Sequence, residues 1–485
     1  MYVPRVRRIL SRHDGRVASV WARVALASLV GFAAGCAALR IPEAPTTPAP
    51  MSPVWDENEL RDHLEFLNDE QLMGRATGTQ GYARAAAYVA ARMREFRLQP
   101  AVDEDFRLVY GVSINYPVGS SFSAVGPIDS TAYLRGIDYL PDARSDSGRV
   151  TVGRMVVAAG SPPAPDGSAP PPPFAVLVTE ATSADLSAWQ QAGARLAIVM
   201  RDLMPRFHAA PIRGLLVVQV TPRAAAELFG LPEPELSNFL ETRRGEAVEL
   251  PRTLSARVAI DYQPRAGAIN MMGYFSGKHP RLQRDLVIVC ADLDAAGSFA
   301  GVPVVDFGNY GIATSAVLEA ARNLSYVTRR WSIPDRSVMI AVWSGSRTGH
   351  VGLRHFLEHP TWSLDRVHAV VYAGLSSADE ADVRSLLDGY GIRLISIRRA
   401  EEPLFERGIV LRPDPSVLRL ARSRNLDLTR FEPPDESAIL DSAVVRARRL
   451  ADAAYRRAML QATEAESFLP VRDETMTVPP ALGSQ

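Results

Sequence analysis

The chain has 485 residues, enough for two domains that each bury a core. Its 54 Lys and Arg are matched by 54 Asp and Glu, and charged residues make up 22% of the whole, which argues against nucleic acid or another polyanion as a partner. A hydrophobic share of 47% is ordinary for a globular protein.

Residues 1–36 do not read as part of a fold. Arg5, Arg7, Arg8, Arg12, Arg16 and Arg23 form a basic lead, and Val24 to Ala34 is an apolar run too short to span a bilayer comfortably. The run ends in Ala33-Ala34-Gly35-Cys36. Small residues before a cysteine resemble a bacterial lipoprotein signal, although Ala33 stands where Leu is usual. That resemblance implies lipid on Cys36, a membrane partner through that lipid, and a place in the cell envelope, facing the periplasm or on the outer membrane. An ordinary membrane anchor with a chance cysteine is the alternative. With Cys36 lipidated, Cys290 has no partner for an intrachain disulfide and reads as a small core residue.

Residues 37–55 carry PEAPTTPAPMSP and read as an extended Pro-rich spacer. Residues 56–118 open the main domain. Asp56 is placed to cap a helix that presents Leu60, Leu64 and Leu67 on one face. A second helix is predicted from Thr79 to Phe96, with Tyr82, Ala86, Val89 and Met93 at helical spacing. Arg75, in the loop before it, reads as part of a turn. Over 119–251 the character changes. Short apolar strands (Met155–Ala158, Phe174–Val178, Leu196–Met200, Leu215–Val220) alternate with helices at 184–191 and after Thr221-Pro222, where a cap precedes a first-turn proline. Gly160–Pro173 reads as an exposed Pro-rich loop. Residues 252–468 return to the main domain, with one strand over 257–263 and another around Asn270. Strands at 285–294, 336–344, 366–375 and 392–397 alternate with helices at 313–327 and 349–358. Two more helices follow at 415–425 and 438–463, the last with Leu440, Val444, Ala447, Leu450, Ala454 and Met459 on one face. Residues 469–485 read as a disordered tail. The alternation predicts an α/β fold, a mostly parallel sheet sandwiched by helices, with a smaller β-rich α/β insert.

Asp285–Gly297, DLVIVCADLDAAG, is the best site candidate. An unbroken apolar strand ends abruptly in Asp292 and Asp294, and in such sheets ligands bind at the carboxyl edge of the strands. The flanking blocks NMMGYFSGKHP (270–280), NYGIATSAVLEAARNL (309–324), SVMIAVWSGSRTGHVGLRHF (337–356) and LMGRATGTQGYARAAAYVAARMREFRLQP (72–100) resemble, in that pattern and order, the M28 family of zinc aminopeptidases and carboxypeptidases. The insert is similar to the protease-associated domain carried by many of its members, a cover or interaction module.

The resemblance implies a scaffold with two zinc ions, held by His, a bridging Asp, Glu, Asp and His, with a second Glu as general base. Carried onto this chain, the first His falls on Asp292 and its supporting Asp on Asp294. The bridging Asp falls on Asn309, the Glu pair on Ser346 and Arg347, with Ser346 at the general-base position, and the later Asp near Gly374. No histidine follows His368 to supply the last ligand. Zinc is bound by Cys, His, Asp or Glu at about 2.0–2.3 Å, and Arg has no acceptor at all. The sequence therefore implies a vestigial pocket of Asp292, Asp294, Asn309, Ser346 and Arg347, with no catalytic residue and no cofactor. Arg347 is expected to fill the vacated charge by pairing with Asp292 or Asp294.

Other groupings carry less. His350, His355 and His359 read as surface histidines; HFLEH lacks the zincin order. Ser344 and Ser346 beside His350 lack a nucleophile-elbow motif. Asp379, Glu380 and Asp382 read as a solvated acidic loop. Three functions stay open: a non-catalytic envelope protein binding peptides or another envelope protein, an active metallopeptidase with a rearranged site, and a structural role for the insert.

Overall fold

The computed structural model describes residues 53–102, 104–158, 162, 171–203, 210–295, 297–299, 302–306, 311–330, 334–398, 409–411, 413–426, 428, 436–463 and 476–477. The leader with Cys36, nearly all of the Pro-rich spacer, Asn309, most of the 160–173 loop and most of the 469–485 tail lie outside these residues.

Helix α1 (Glu57–Leu67) starts where the Asp56 carboxylate accepts the amides of Asn58 and Glu59, and Leu60, Leu64 and Leu67 are fully buried on its inner face. Each such leucine contributes roughly 1.5–3 kcal/mol by leaving water. Helix α2 (Gln80–Glu95) is capped by Thr79 and buries Tyr82, Ala86, Val89 and Met93, as the spacing predicts. Then come β1 (Arg107–Val125), β2 (Gly148–Ala158), β3 (Phe174–Val178), α3 (Ser183–Gln191), β4 (Ala194–Met200), β5 (Leu216–Val220), α4 (Pro222–Phe229), α5 (Glu233–Thr242) and β6 (Ala247–Phe275). Thr182 and Asp185 form a reciprocal capping box on α3, and Thr221 caps α4. The second half holds β7 (Leu286–Asp292), α6 (Ile312–Arg330), β8 (Ser337–Trp343), α7 (Val351–Glu358), β9 (Val367–Leu375), α8 (Ser377–Asp388), β10 (Leu394–Arg398), α9 (Pro415–Ser423) and α10 (Glu436–Ala462).

One sheet of 14 strands runs through the described residues. Strands β10, β9, β7 and β8 are parallel neighbours in that order, and β2, β3, β4 and β5 form a second parallel run. Strand β6 joins them, antiparallel to β8 at 271–275 and to β2 at 247–258. Strand β1 lies antiparallel along β6, from Arg107 opposite Met271 to Val125 opposite Thr253. The sequence suggests two strands over 257–275; the chain makes one of 29 residues. Positions 119 and 251, where composition changes, fall inside this ribbon. Strand β7 is buried from Leu286 to Ala291, and α6 and α10 pack on it and on each other. Cys290 is fully buried, as a core residue should be.

Two expectations are corrected. Asp379, Glu380 and Asp382 lie on helix α8, not in a loop, because Ser376 caps the helix and Glu380 turns inward, 5% exposed, to bind Arg384 at 2.8 Å, Ser396 at 3.1 Å and Arg398. Part of the expected tail is ordered: Met476 and Thr477 pair in parallel with Ile397 and Arg398, using the edge β10 leaves open. No helix among the described residues is long and apolar enough to cross a membrane.

His63 gives the fold a pH dependence. It is fully buried on α1, with Nδ1 2.6 Å from the Tyr88 hydroxyl. Burial first, then the charges of Arg92 and Arg322, push its pKa down to about 3. An unfolded imidazole titrates near 6.5, so between these values the unfolded chain binds the proton and stability is lost as pH falls. Denaturant midpoints at pH 7, 5.5 and 4 should show this loss, about 3 kcal/mol at the acid end. His63→Gln should flatten the slope; an unchanged slope would refute the assignment.

Candidate functional site

The parallel register brings the carboxyl ends of β7, β8 and β9 side by side. Asp292 is the partner of Trp343, and Cys290 pairs with Tyr372. Tyr372 donates its hydroxyl to Asp292 Oδ1 at 2.5 Å. The Asp292 backbone carbonyl accepts the Thr314 hydroxyl at 2.6 Å, which holds the first turn of α6 against the strand end. Burial, and then the charge of Asp294, push the Asp292 carboxyl well above the usual carboxylate range; the Tyr372 hydrogen bond pulls the other way, and the Asp379 and Arg347 charges weigh less.

Asp294 is 1% exposed and accepts the backbone amides of Ser346 at 3.1 Å and Arg347 at 3.4 Å. These residues form a short 3-10 turn between Gly345 and Gly349, both left-handed with φ of 71° and 73°. The Gly345 amide is donated to Thr77 Oγ1 at 2.8 Å. Arg347 meets Asp294 through its amide; its side chain is exposed, and its charge acts on Asp292 as the last of five influences. Ser344 is fully buried and bonded to Asn270 Oδ1 and the Tyr110 hydroxyl, each at 2.9 Å, a structural knot and not a nucleophile. Arg75 is also buried, and its Nε donates to the Leu293 carbonyl at 3.0 Å, so this turn residue braces the site strand.

Gly374, beside the β9 end, has φ of +81°, and a Cβ there would lie 2.5 Å from Ala313 Cβ. A carboxylate at 374 requires the strand end or α6 to move.

Two residues near the site escape the sequence reading. Tyr372 is hidden in an apolar strand; counting back from each strand end would have set it beside Asp292. His350 is not a surface histidine. It is 2% exposed with φ of 54°, its ring stands edge-on to Tyr372 at 6.4 Å, and Nε2 is 3.9 Å from Asp379 Oδ1. Burial holds its pKa below the ordinary histidine value. His355 and His359 do share a helix side: their rings stack at 4.4 Å, and His355 stacks on Tyr110 at 4.4 Å.

No protein-family model matches the sequence, and no curated protein does. Among solved structures, an aminopeptidase from Aneurinibacillus sp. strain AM-1 matches with a TM-score of 0.53 at 12% identity, over 86% of this chain and 96% of that one. The chain has the fold of an M28-type aminopeptidase. A peptidase M28 precursor from Shewanella amazonensis SB2B (TM-score 0.48, 14% identity, 85% of this chain, 95% of that one) and a zinc aminopeptidase from Bacillus subtilis (TM-score 0.47, 14% identity, 85% and 95%) are also similar.

The resemblance to M28 zinc peptidases implies two zinc ions at these strand ends; of the positions it assigns, 292, 346, 347 and 374 lie among the described residues and 309 does not. Asp292 is biased toward its protonated form, Asp294 already holds two amides, Ser346 and Arg347 offer a hydroxyl and a cation, and Gly374 offers no side chain. Among the described residues no group of three or more His, Cys, Asp or Glu is arranged to hold a metal ion.

The raised Asp292 pKa has a measurable sign. The folded protein holds this proton to higher pH than the unfolded chain does, so Asp292 costs stability increasingly as pH rises above about 4. Asp292→Asn keeps an oxygen for Tyr372 and removes that cost. The variant should gain denaturant resistance over wild type at pH 8 relative to pH 4.5. A constant difference would show that Asp292 ionises freely.

Proposed function

We propose that this protein is a non-catalytic member of the M28-type fold, a pseudopeptidase that binds peptides or a partner protein at the cell envelope. The observation that carries this reading is the turn at Ser346 and Arg347. Where the fold's metal enzymes place a ligand and a general base, this chain has a hydroxyl without a useful pKa near neutrality and a permanent cation, and the turn's amides are committed to Asp294. A site meant to hold two divalent cations needs anions at these places. The strand-end architecture that shapes a ligand groove in this class of sheet is kept. The alternative is an active metallo-aminopeptidase with a rearranged site.

Metal analysis of the purified full chain, paired with turnover of chromogenic amino-acid amides, decides between them. The expected result is no stoichiometric zinc and no hydrolysis, with or without added zinc. Turnover that rises with bound zinc would establish the alternative. Installing Glu at both Ser346 and Arg347 is expected not to create activity, because the position near Gly374 still supplies no ligand.

The envelope location rests on the leader. Cys36→Ser is expected to abolish the incorporation of labelled fatty acid that the unmodified chain shows on expression in a bacterium. An unmodified chain that takes up no label yet stays in the membrane would point to an ordinary anchor in its place.

A further inference from the structure

Burial alternates along β6 wherever the strand is covered. Leu254, Ala256 and Val258 are buried in the insert half, and Ala266 and Ala268 in the peptidase-like half. Between them Asp261, Tyr262, Gln263, Pro264 and Arg265 are exposed in succession. Side chains alternate between faces in a strand, so five exposed neighbours leave β6 itself uncovered on both faces, while Ile114 and Asn115 opposite them on β1, and Pro117 opposite Ile260, are buried. Over residues 259–270, β6 pairs among the described residues with β1 alone. A two-stranded ribbon is marginal by itself.

Two bulges weaken this ribbon further, one on each strand. Pro264 and Arg265 together oppose Ser113, and Val118 is an extra residue between Pro117 and Gly119. Each proline also removes an amide from the ladder. On either side the ribbon is held firmly. Val112, Ile114, Ala266 and Ala268 cluster with Tyr110 and Val351, while Phe122, Ala124, Leu254, Ala256 and Val258 belong to the insert core.

We infer that residues 115–119 and 259–265 form a hinge on which the β2–β5 half of the sheet swings relative to the β7–β10 half. Among the described residues the Ile260 amide donates to Ser147 Oγ at 2.9 Å and Asn115 Nδ2 donates to the Ala143 carbonyl, which tie the hinge to the insert. Two contacts reach beyond it. Leu134 and Ile137 of the insert pack on Ala421 and Leu428 at and beyond helix α9, with Arg424 Nη1 donating to the Ala132 carbonyl at 2.9 Å. The Tyr116 hydroxyl, inside the hinge, donates to the Ser298 carbonyl, four residues after Asp294. The first contact is a small apolar clasp that limits the swing. The second carries the swing to the site, since Tyr116 leaving Ser298 frees the loop that the Gly297 amide otherwise ties to the Gly74 carbonyl at 2.8 Å. The hinge does not depend on whether the site has chemistry.

Hydrogen exchange on the full chain is the direct test. Amides of 115–119 and 259–265 should exchange at least about tenfold faster than those of 254–258 and 271–275. A second measurement uses spin labels at Ala184→Cys and Glu358→Cys on a Cys36→Ser background, where buried Cys290 does not react. Pulsed-resonance distances should be broad, and broader when Ala421→Asp breaks the clasp. Slow exchange across 259–265, equal to its flanks, overturns the hinge. So does one narrow distance that Ala421→Asp leaves unchanged. If Ala421→Asp does not fold, exchange in the unmodified chain decides.

Discussion

A carboxylate removed from water must find donors, and Asp294 is almost wholly removed from water. The amides of Ser346 and Arg347 answer that demand, and each hydrogen bond to a charged group contributes about 1.5–3 kcal/mol. The demand sets the local architecture. For both amides to point one way, the chain leaving β8 must curl at once, which it does through a left-handed Gly345. A Cβ at Gly345 would meet Val351 Cγ2 at 2.3 Å, so glycine is required by space as well as by φ. The Gly345 amide on Thr77 ties the same turn to the segment before α2. Three distant stretches of chain therefore meet around one buried carboxyl group.

The second carboxylate of the pair meets its burial by a different route. Two acids two residues apart at one strand end resist joint ionisation, and burial together with that neighbour raises the Asp292 pKa above the ordinary carboxylate range. Among the described residues the Tyr372 hydroxyl donates to the Asp292 side chain, and the charge of Arg347 weighs least of the influences on it. A carboxyl whose pKa burial raises, beside one that accepts two backbone amides, is a self-consistent arrangement. It is also a poor donor set for a divalent cation, which must displace a proton from one ligand and backbone amides from the other.

Much of this was legible in the sequence, for identifiable reasons. The buried strands announce themselves as unbroken apolar runs because parallel strands are covered on both faces. The helices α1 to α4 are bounded by Asp56, Thr79, Thr182 and Thr221, whose side chains do in the fold what such residues do in general. The acidic pair at the end of β7 was found by the same logic. What escaped are residues whose role is set across the sheet. Tyr372 looks like one more apolar residue until the register places it beside Cys290 and within reach of Asp292. Glu380 looks solvated until Arg398, on a strand formed 18 residues later, turns to meet it. The continuity of β6 escaped because its middle carries no alternation, and bare backbone pairing leaves no hydrophobic signature.

That shared strand changes what the insert is. A module joined by two flexible tethers can be removed without cost to its host, but residues 119–251 are not so joined. Their removal cuts β1 before its pairing with 253–259 is made and strips the N-terminal end of β6 from β2. The cluster of Val112, Ile114, Ala266 and Ala268 would then end in a ribbon with no register beyond it. A partner lost on such a deletion could reflect a disturbed peptidase-like half as readily as a missing surface. A cut from the Gly126 turn to a point before Thr253 keeps the β1 and β6 pairing from 125 to 253 intact. It removes β2 to β5 with their two faces of core and leaves the host sheet its ladder, so a partner lost there was bound by the insert itself.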